Sequence, residues 1–484
     1  MKKMNLFVMS LLATAAFTFS SCSNEDTMSP STSNQEVTDG FYMTLKVKGG
    51  AEATTRTVQQ GDDNKENGTS EESTISKGVI YIYKGNEFVF KKEISTNDWA
   101  SAPTQVKEGV TRPIKVSVAK VSPNTEYNVY FLANTNTNIA DPLKTDMAFQ
   151  ASVTGGSEYA TDNNFAMFNQ NDKSRAAAHS TVKFIEANKN VETPASASEI
   201  YLDRVVARID VPTVDVEKTS KITKGESTKT TNYEDLLEGV SFDSYAVSNL
   251  NNNSYVVQNW DNKWFLNTLI TGNSPYYKPY SAYGTAYEAK GLNNFISPAT
   301  ATKTYLFENS TNNEMDATSL YFCIKANLKK EIKEKADFKD GTFYRYDKKV
   351  YVSLEDLIHD TEVANPFGES ETGATILKKI QKADGTLIDE AELAKFREKY
   401  GIQVYREGKM YYRYVINDNF YTSREGYYSV LRNSIYHLNV NAIYDIGRDV
   451  PNGPDTPESV NYYMAVTVSI NPWVLNVSDI QLGK

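Results

Sequence analysis

Met464-Ala465-Val466-Thr467-Val468-Ser469-Ile470 alternates apolar with small or polar side chains, the period-two pattern of a β-strand with one buried face. The stretch belongs to a tail, Tyr462 to Leu482, that follows the proline-rich segment Gly447 to Glu458, with Pro451, Pro454 and Pro457. An extended chain of that length spans about 35 Å at roughly 3.1 Å per residue. A matching strand stands near the start, where Phe41, Met43, Leu45 and Val47 alternate with Tyr42, Thr44, Lys46 and Lys48. Shortly after it comes Arg56, in the polar run Thr54-Thr55-Arg56-Thr57, open to a trypsin-like protease. A first strand that can be cut away and a last strand on a long tether are the parts of a chain that polymerises. In the tail, Pro472 cannot donate to a ladder and predicts a break, after which the apolar phase moves to Trp473, Leu475 and Val477.

The N-terminus predicts export. Lys2 and Lys3 precede an apolar run from Leu6 to Phe19, fourteen residues, short of the ~20 that cross a bilayer. Ser20-Ser21-Cys22 follows, which reads as a lipoprotein signal peptide (residues 1–21) with Cys22 as the lipidated residue, although Phe19 stands where such sites commonly have Leu. The acidic run Ser23-Asn24-Glu25-Asp26 resembles the export signal of surface lipoproteins in Bacteroidota.

Composition favours sheets. The 484 residues leave room for two or three domains, and 32 Tyr with 21 Phe suit half-buried pleated surfaces. A net charge of -10 argues against nucleic acid as a partner, and the first 56 residues carry five charges of each sign, so their loss leaves it unchanged. Only Cys323 would then remain, which excludes an intramolecular disulfide. Strong strands are read at 79–83, 114–118 and 127–132, and 201–211 closes a first strand-rich region before a second from about 240 to 446. Helices are few: Asp389 to Tyr400 is one, with Gly401 placed to end it, and 329–336 is a short helix or a loop.

Chemistry is sparse. His179, His359 and His437 are far apart and form no HExxH pair, and neither a GxSxG elbow nor a P-loop occurs, so no enzyme, metal or cofactor is read. His437 reads as a surface or edge histidine, Cys323 as a packed or semi-exposed structural thiol, and Asp62 to Glu72 as a solvated acidic loop. Trp99, Trp260 and Trp264 fit a sandwich core better than sugar platforms.

Several motifs recur together. Asp203-Arg204-Val205-Val206-Ala207-Arg208, Ser319 to Ala326, Gly341-Thr342-Phe343-Tyr344 with Val350-Tyr351-Val352-Ser353, and Tyr411-Tyr412 lead to Val430-Leu431-Arg432-Asn433-Ser434-Ile435-Tyr436-His437-Leu438 and the tail with Asn471-Pro472-Trp473. In order and spacing this resembles the Bacteroidales fimbrillins of type V pili, in particular the major stalk subunit of the minor fimbrium. The resemblance implies an all-β protein of two tandem transthyretin-like β-sandwiches with few short helices. It implies a propeptide at 22–56 carrying the removable strand (Phe41, Met43, Leu45, Val47), sandwiches at 57–215 and 216–446, a linker at 447–460 and a donor strand at 461–484 (Met464, Val466, Val468, Ile470, Trp473). Cleavage, by an Arg-specific surface protease, would fall between Arg56 and Thr57, with Lys46, Lys48 and Arg112 as the alternative sites. The implied partners are other copies of the chain, anchor and tip fimbrial subunits, and host or bacterial surface receptors. The implied location is a surface fimbrium whose precursor is held to the outer membrane by a palmitate-type lipid, serving adhesion and biofilm formation. The alternatives are a monomeric glycan-binding surface lipoprotein, which needs neither a removable first strand nor a spare last one, and a tip or adhesin subunit.

Overall fold

In the computed structural model, the described residues are 40–49, 66–101, 109–135, 148–150, 154–170, 180–214, 232–251, 253–257, 260–261, 264–265, 295–311, 317–416, 428–451 and 464–474. They are built mainly of β-strands with a few short helices.

The N-terminal strand is two pieces, β1 (Gly40–Thr44) and β2 (Lys46–Gly49), and β3 is the short Glu66–Asn67. The first sheet system adds β4 (Gly78–Lys84), β5 (Glu87–Ile94), β6 (Trp99–Ser101), β7 (Gly109–Thr111), β8 (Ile114–Ser117), β9 (Glu126–Ala133), β10 (Met167–Asn169), β11 (Ser180–Lys183), β12 (Ala195–Ser196) and β13 (Ile200–Arg204). Its large sheet runs β5-β4-β9-β10-β13-β2-β7-β6, with β11 also on β9, and a smaller sheet runs β12-β1-β8. The apolar runs at 79–83 and 127–132 become β4 and β9, whose near-continuous burial marks them as central strands. Trp99 is in the core, edge-on to Phe131 with ring centroids 6.1 Å apart.

The stretch 201–211, read as closing the first strand-rich region, divides at Val205. β13 belongs to the first system, while β14 (Val206–Ile209) pairs in the second with β15 (Thr213–Val214), β17 (Thr304–Phe307), β23 (Ser434–Ile443) and the C-terminal β24 (Met464–Val474), in the order β17-β14-β23-β24-β3 with β15 on β23. Facing this sheet's core residues is a second, β16 (Leu237–Ser248), β18 (Ser319–Leu328) and β22 (Lys409–Val415). Residues 329–408 thus lie between two strands, β18 and β22, that are hydrogen-bonded neighbours. They carry a core of their own, between β19 (Phe343–Tyr346), β20 (Lys349–Tyr351), β21 (Gln403–Tyr405) and the helices that follow α1 (Ser70–Ser73) and α2 (Lys330–Lys333): α3 (Leu354–His359), α4 (Gly373–Ile380) and α5 (Glu390–Tyr400). Helix α5 ends where expected, at Gly401 with φ 66°, a conformation that favours glycine. Helices α3 and α4 were not expected. Their starts are capped by Ser353, whose Oγ accepts from the Glu355 N–H, and Thr372, whose Oγ1 accepts from the Thr375 N–H.

Candidate assembly strands and the junction behind them

Each of the two pieces of the N-terminal strand has a neighbouring strand on either side. β1 runs antiparallel to β8, with Phe41 opposite Val116, and parallel to β12, with Met43 opposite Ala195. β2 runs antiparallel to β7 and parallel to β13, with Val47 opposite Gly109 and Ile200 respectively. Leu45 is the pivot where the chain passes from one sheet to the other. Its N–H donates to Thr111 Oγ1 (2.9 Å) and its carbonyl accepts from the Thr111 N–H (3.0 Å). Phe41, Met43, Leu45 and Val47 are all at most 1% exposed. Phe41 packs on Phe184 at 5.6 Å, and Lys46 reaches Glu199 at 2.9 Å.

The C-terminal strand is held differently. β24 forms a long antiparallel ladder with β23, from Ser434–Pro472 to Ile443–Met464, while its other edge meets only the two residues of β3, at Trp473 and Val474. Met464, Val466, Val468, Ile470 and Trp473 all fall in this strand. The break expected at Pro472 does not occur. The strand continues through it, as an edge strand tolerates a missing donor, and the irregularity lies instead in β23 between Val440 and Ala442. Cys22, Arg56 and Thr57 lie outside the described residues.

Behind these strands a buried polar network joins the two sheet systems. Glu72, the end of the stretch read as a solvated loop, is instead 1% exposed. It receives hydrogen bonds from Tyr305 Oη (2.6 Å), Lys303 Nζ (3.0 Å), the Thr69 N–H (2.9 Å) and Arg208 Nη1 (3.1 Å). Burial alone would raise the Glu72 pKa, but these donors and the Arg208 charge outweigh it and hold the carboxyl below its ordinary value. Arg208 also grips Asp210 (2.7 and 3.0 Å), and Asp210 is 3.1 Å from His437, which is partly exposed but stands in β23, a strand paired on both sides rather than at an edge. Arg204, fully buried, donates to the Glu72 carbonyl (2.9 Å), Ser73 Oγ (3.1 Å) and Asn433 Oδ1 (3.3 Å), and Asn433 Nδ2 donates to Asp203 Oδ1 (2.7 Å). Arg432 pairs with Glu308, both buried. The sequence carried a sign of this. Arg204 and Arg208 interrupt an otherwise apolar run, and charges within a buried strand require partners.

Residues 403–479, from β21 through β24, match the family described as major fimbrial subunit protein type IV, fimbrillin, C-terminal. The C-terminal segment of this chain is thus similar to the fimbrillins. No curated protein matches the chain. Among solved structures it is similar to a fimbrilin from Porphyromonas gingivalis (16% identity, 90% of this chain and 98% of that one, TM-score 0.41). It is similar also to a candidate cell adhesion protein from Parabacteroides distasonis (13% identity, 90% and 97%, TM-score 0.43). A fimbrial assembly protein from the same species is a more partial likeness (14% identity, 60% and 84%, TM-score 0.31). With TM-scores this low, the three likenesses decide nothing further about the chain. Arg432, Asn433 and the β23–β24 ladder fall inside the fimbrillin-like segment, whereas β1, β2 and Glu72 lie outside it.

Proposed function

We propose that the chain is a structural subunit of surface fimbriae, exported as a lipoprotein precursor lipidated at Cys22, cut after Arg56 and polymerised by donor-strand exchange. The observation that carries this reading is the contrast between the two terminal strands: the first has a neighbour on each side, the last has one ladder and a nearly free edge. Removing β1 and β2 would empty a slot walled by β8, β12, β7 and β13, opening backbone groups on both walls. Four apolar side chains would leave it, at roughly 1.5–3 kcal/mol each, so about 6–12 kcal/mol of burial favours a replacement. The β24 strand of a second copy offers that replacement, with the same period-two alternation and an edge already close to free. A structural and non-enzymatic role in adhesion, and anchor and tip subunits as further partners, belong to this reading.

Arg56→Ala tests it. The variant should fold, stay monomeric and form no fibres, and mass spectrometry of the matured wild-type subunit should find Thr57 at its N-terminus. Deleting residues 462–484 should leave a subunit that accepts a strand but cannot supply one, and so caps growth. Normal fibres from either variant would overturn the reading.

A further inference from the structure

The root of the C-terminal strand is fastened to the insertion between β18 and β22. Asp449, 7% exposed, accepts from the Val404 N–H (2.9 Å) and lies 2.5 Å from Arg397 Nε. Arg397 also pairs with Glu390 and donates from Nη2 to the Val404 carbonyl (3.0 Å), so helix α5 and strand β21 hold the same carboxylate. The residues just before it are seated too. Tyr405 Oη donates to the Gly447 carbonyl (2.8 Å), the Gly447 N–H donates to Tyr412 Oη (2.9 Å), and Arg448 exchanges backbone bonds with Tyr411 (2.8 and 3.0 Å). A Cβ at Gly447 would stand 2.7 Å from the Tyr411 carbonyl oxygen, so only glycine lets the backbone approach this closely. The tether read as starting at Gly447 therefore begins with three fixed residues.

Resting on the donor-strand reading, we propose that Arg397 and Asp449 form a buried clasp that fixes where the C-terminal strand leaves its subunit. Transfer of β24 to a second copy then unzips the β23 ladder and leaves 445–449 in place. The bond types differ in the required direction. β24 is held by one ladder, with two residues of β3 on its other edge, and opens from its end, whereas the clasp is a close ion pair with side chains 13% and 6% exposed, tied to the Val404 N–H, whose contacts must break together. Arg397 and Asp449 are thus positioning residues for assembly. They set the origin and heading of the strand that a neighbour receives.

The test uses the full chain, as uncut precursor and as assembled fibre, with heavy- and light-isotope subunits mixed before assembly. Cross-linking mass spectrometry reports which copy receives 464–474, and hydrogen exchange reports protection at 445–449. Heavy-to-light cross-links from 464–474 with unchanged protection at 445–449 are the expected result. Heavy-to-light cross-links with loss of protection at 445–449 would overturn the clasp and leave donor exchange standing. Cross-links confined to single copies would overturn both. Asp449→Asn should speed exchange at 445–449 by about tenfold or more, the effect of losing one charge-assisted bond, leave β23 protected, and make subunit spacing irregular in electron micrographs. Wild-type protection and spacing in that variant would sink the proposal. Should Asp449→Asn fail to fold, Arg397→Lys gives the same readout, since it keeps the charge and loses the fork that spans both carboxylates.

Discussion

At Glu72 one carboxylate serves four donors, one from the adjacent turn and three from two distant parts of the chain, and its loss takes from Arg208, 3% exposed, one of its two carboxylate partners. Glu72→Gln should lower stability at neutral pH by about 3–5 kcal/mol, the cost of breaking a buried pair from one side, as read from urea midpoints. The pH dependence has a definite sign. Glu72 and Asp210 both have lowered pKa values in the fold, burial being opposed in Glu72 by Tyr305, Thr69, Lys303 and Arg208, and in Asp210 by His437 and Arg208. Each therefore contributes stability above its unfolded pKa, roughly 4, and loses it as pH falls through the folded value. The variant should show a shallower acid loss than wild type below about pH 4. Cys323 makes a second case. It is 1% exposed, and burial, with Asp243 nearby, pushes its thiol up to about 12. Iodoacetamide at pH 8 should leave the native protein unmodified and label it fully in urea, by intact mass.

Among the elements, the terminal strands should respond oppositely to the same insult. Val47→Asp places an unpaired charge in a fully buried position and should cost several kcal/mol, unfolding the precursor in thermal melts. Val466→Asp, in the strand with one ladder, should leave a folded subunit that fails to extend fibres. The alternation that distinguishes these strands was legible in the sequence, as were β4, β8, β9 and helix α5, because each has a period or a cap of its own. What was not legible depended on distant partners. A strand-forming stretch such as 201–211 looks the same whether it serves one sheet or two, so the division at Val205 was invisible. Helices α3 and α4, of six and eight residues, bury their apolar side chains in a core shared with a small sheet, and are too short for a clear period. Glu72 meets Arg208 across 136 residues, a pairing no local pattern records. The β3 contact at Trp473 was likewise hidden, since it joins residues near opposite ends of the chain.

At the scale of the whole molecule, Arg204 joins α1, β13 and the turn before β23, so it couples the two sheet systems. Arg204→Met should separate their unfolding, turning one calorimetric transition into two and lowering the first by about 3–5 kcal/mol. A single, unshifted transition would show that packing alone provides the coupling. The two-sided pairing of the N-terminal strand has a mechanical consequence as well. In a fibre joined through that slot, tension runs along the axis of the inserted strand, and both flanking ladders are loaded in shear, so their bonds share the force and fail together. The β23–β24 ladder, pulled from its end, is instead peeled one bond after another. The geometry that lets the strand leave its own subunit under small forces makes the finished joint resist large ones, and the fibre should hold under flow that the free tail would not survive.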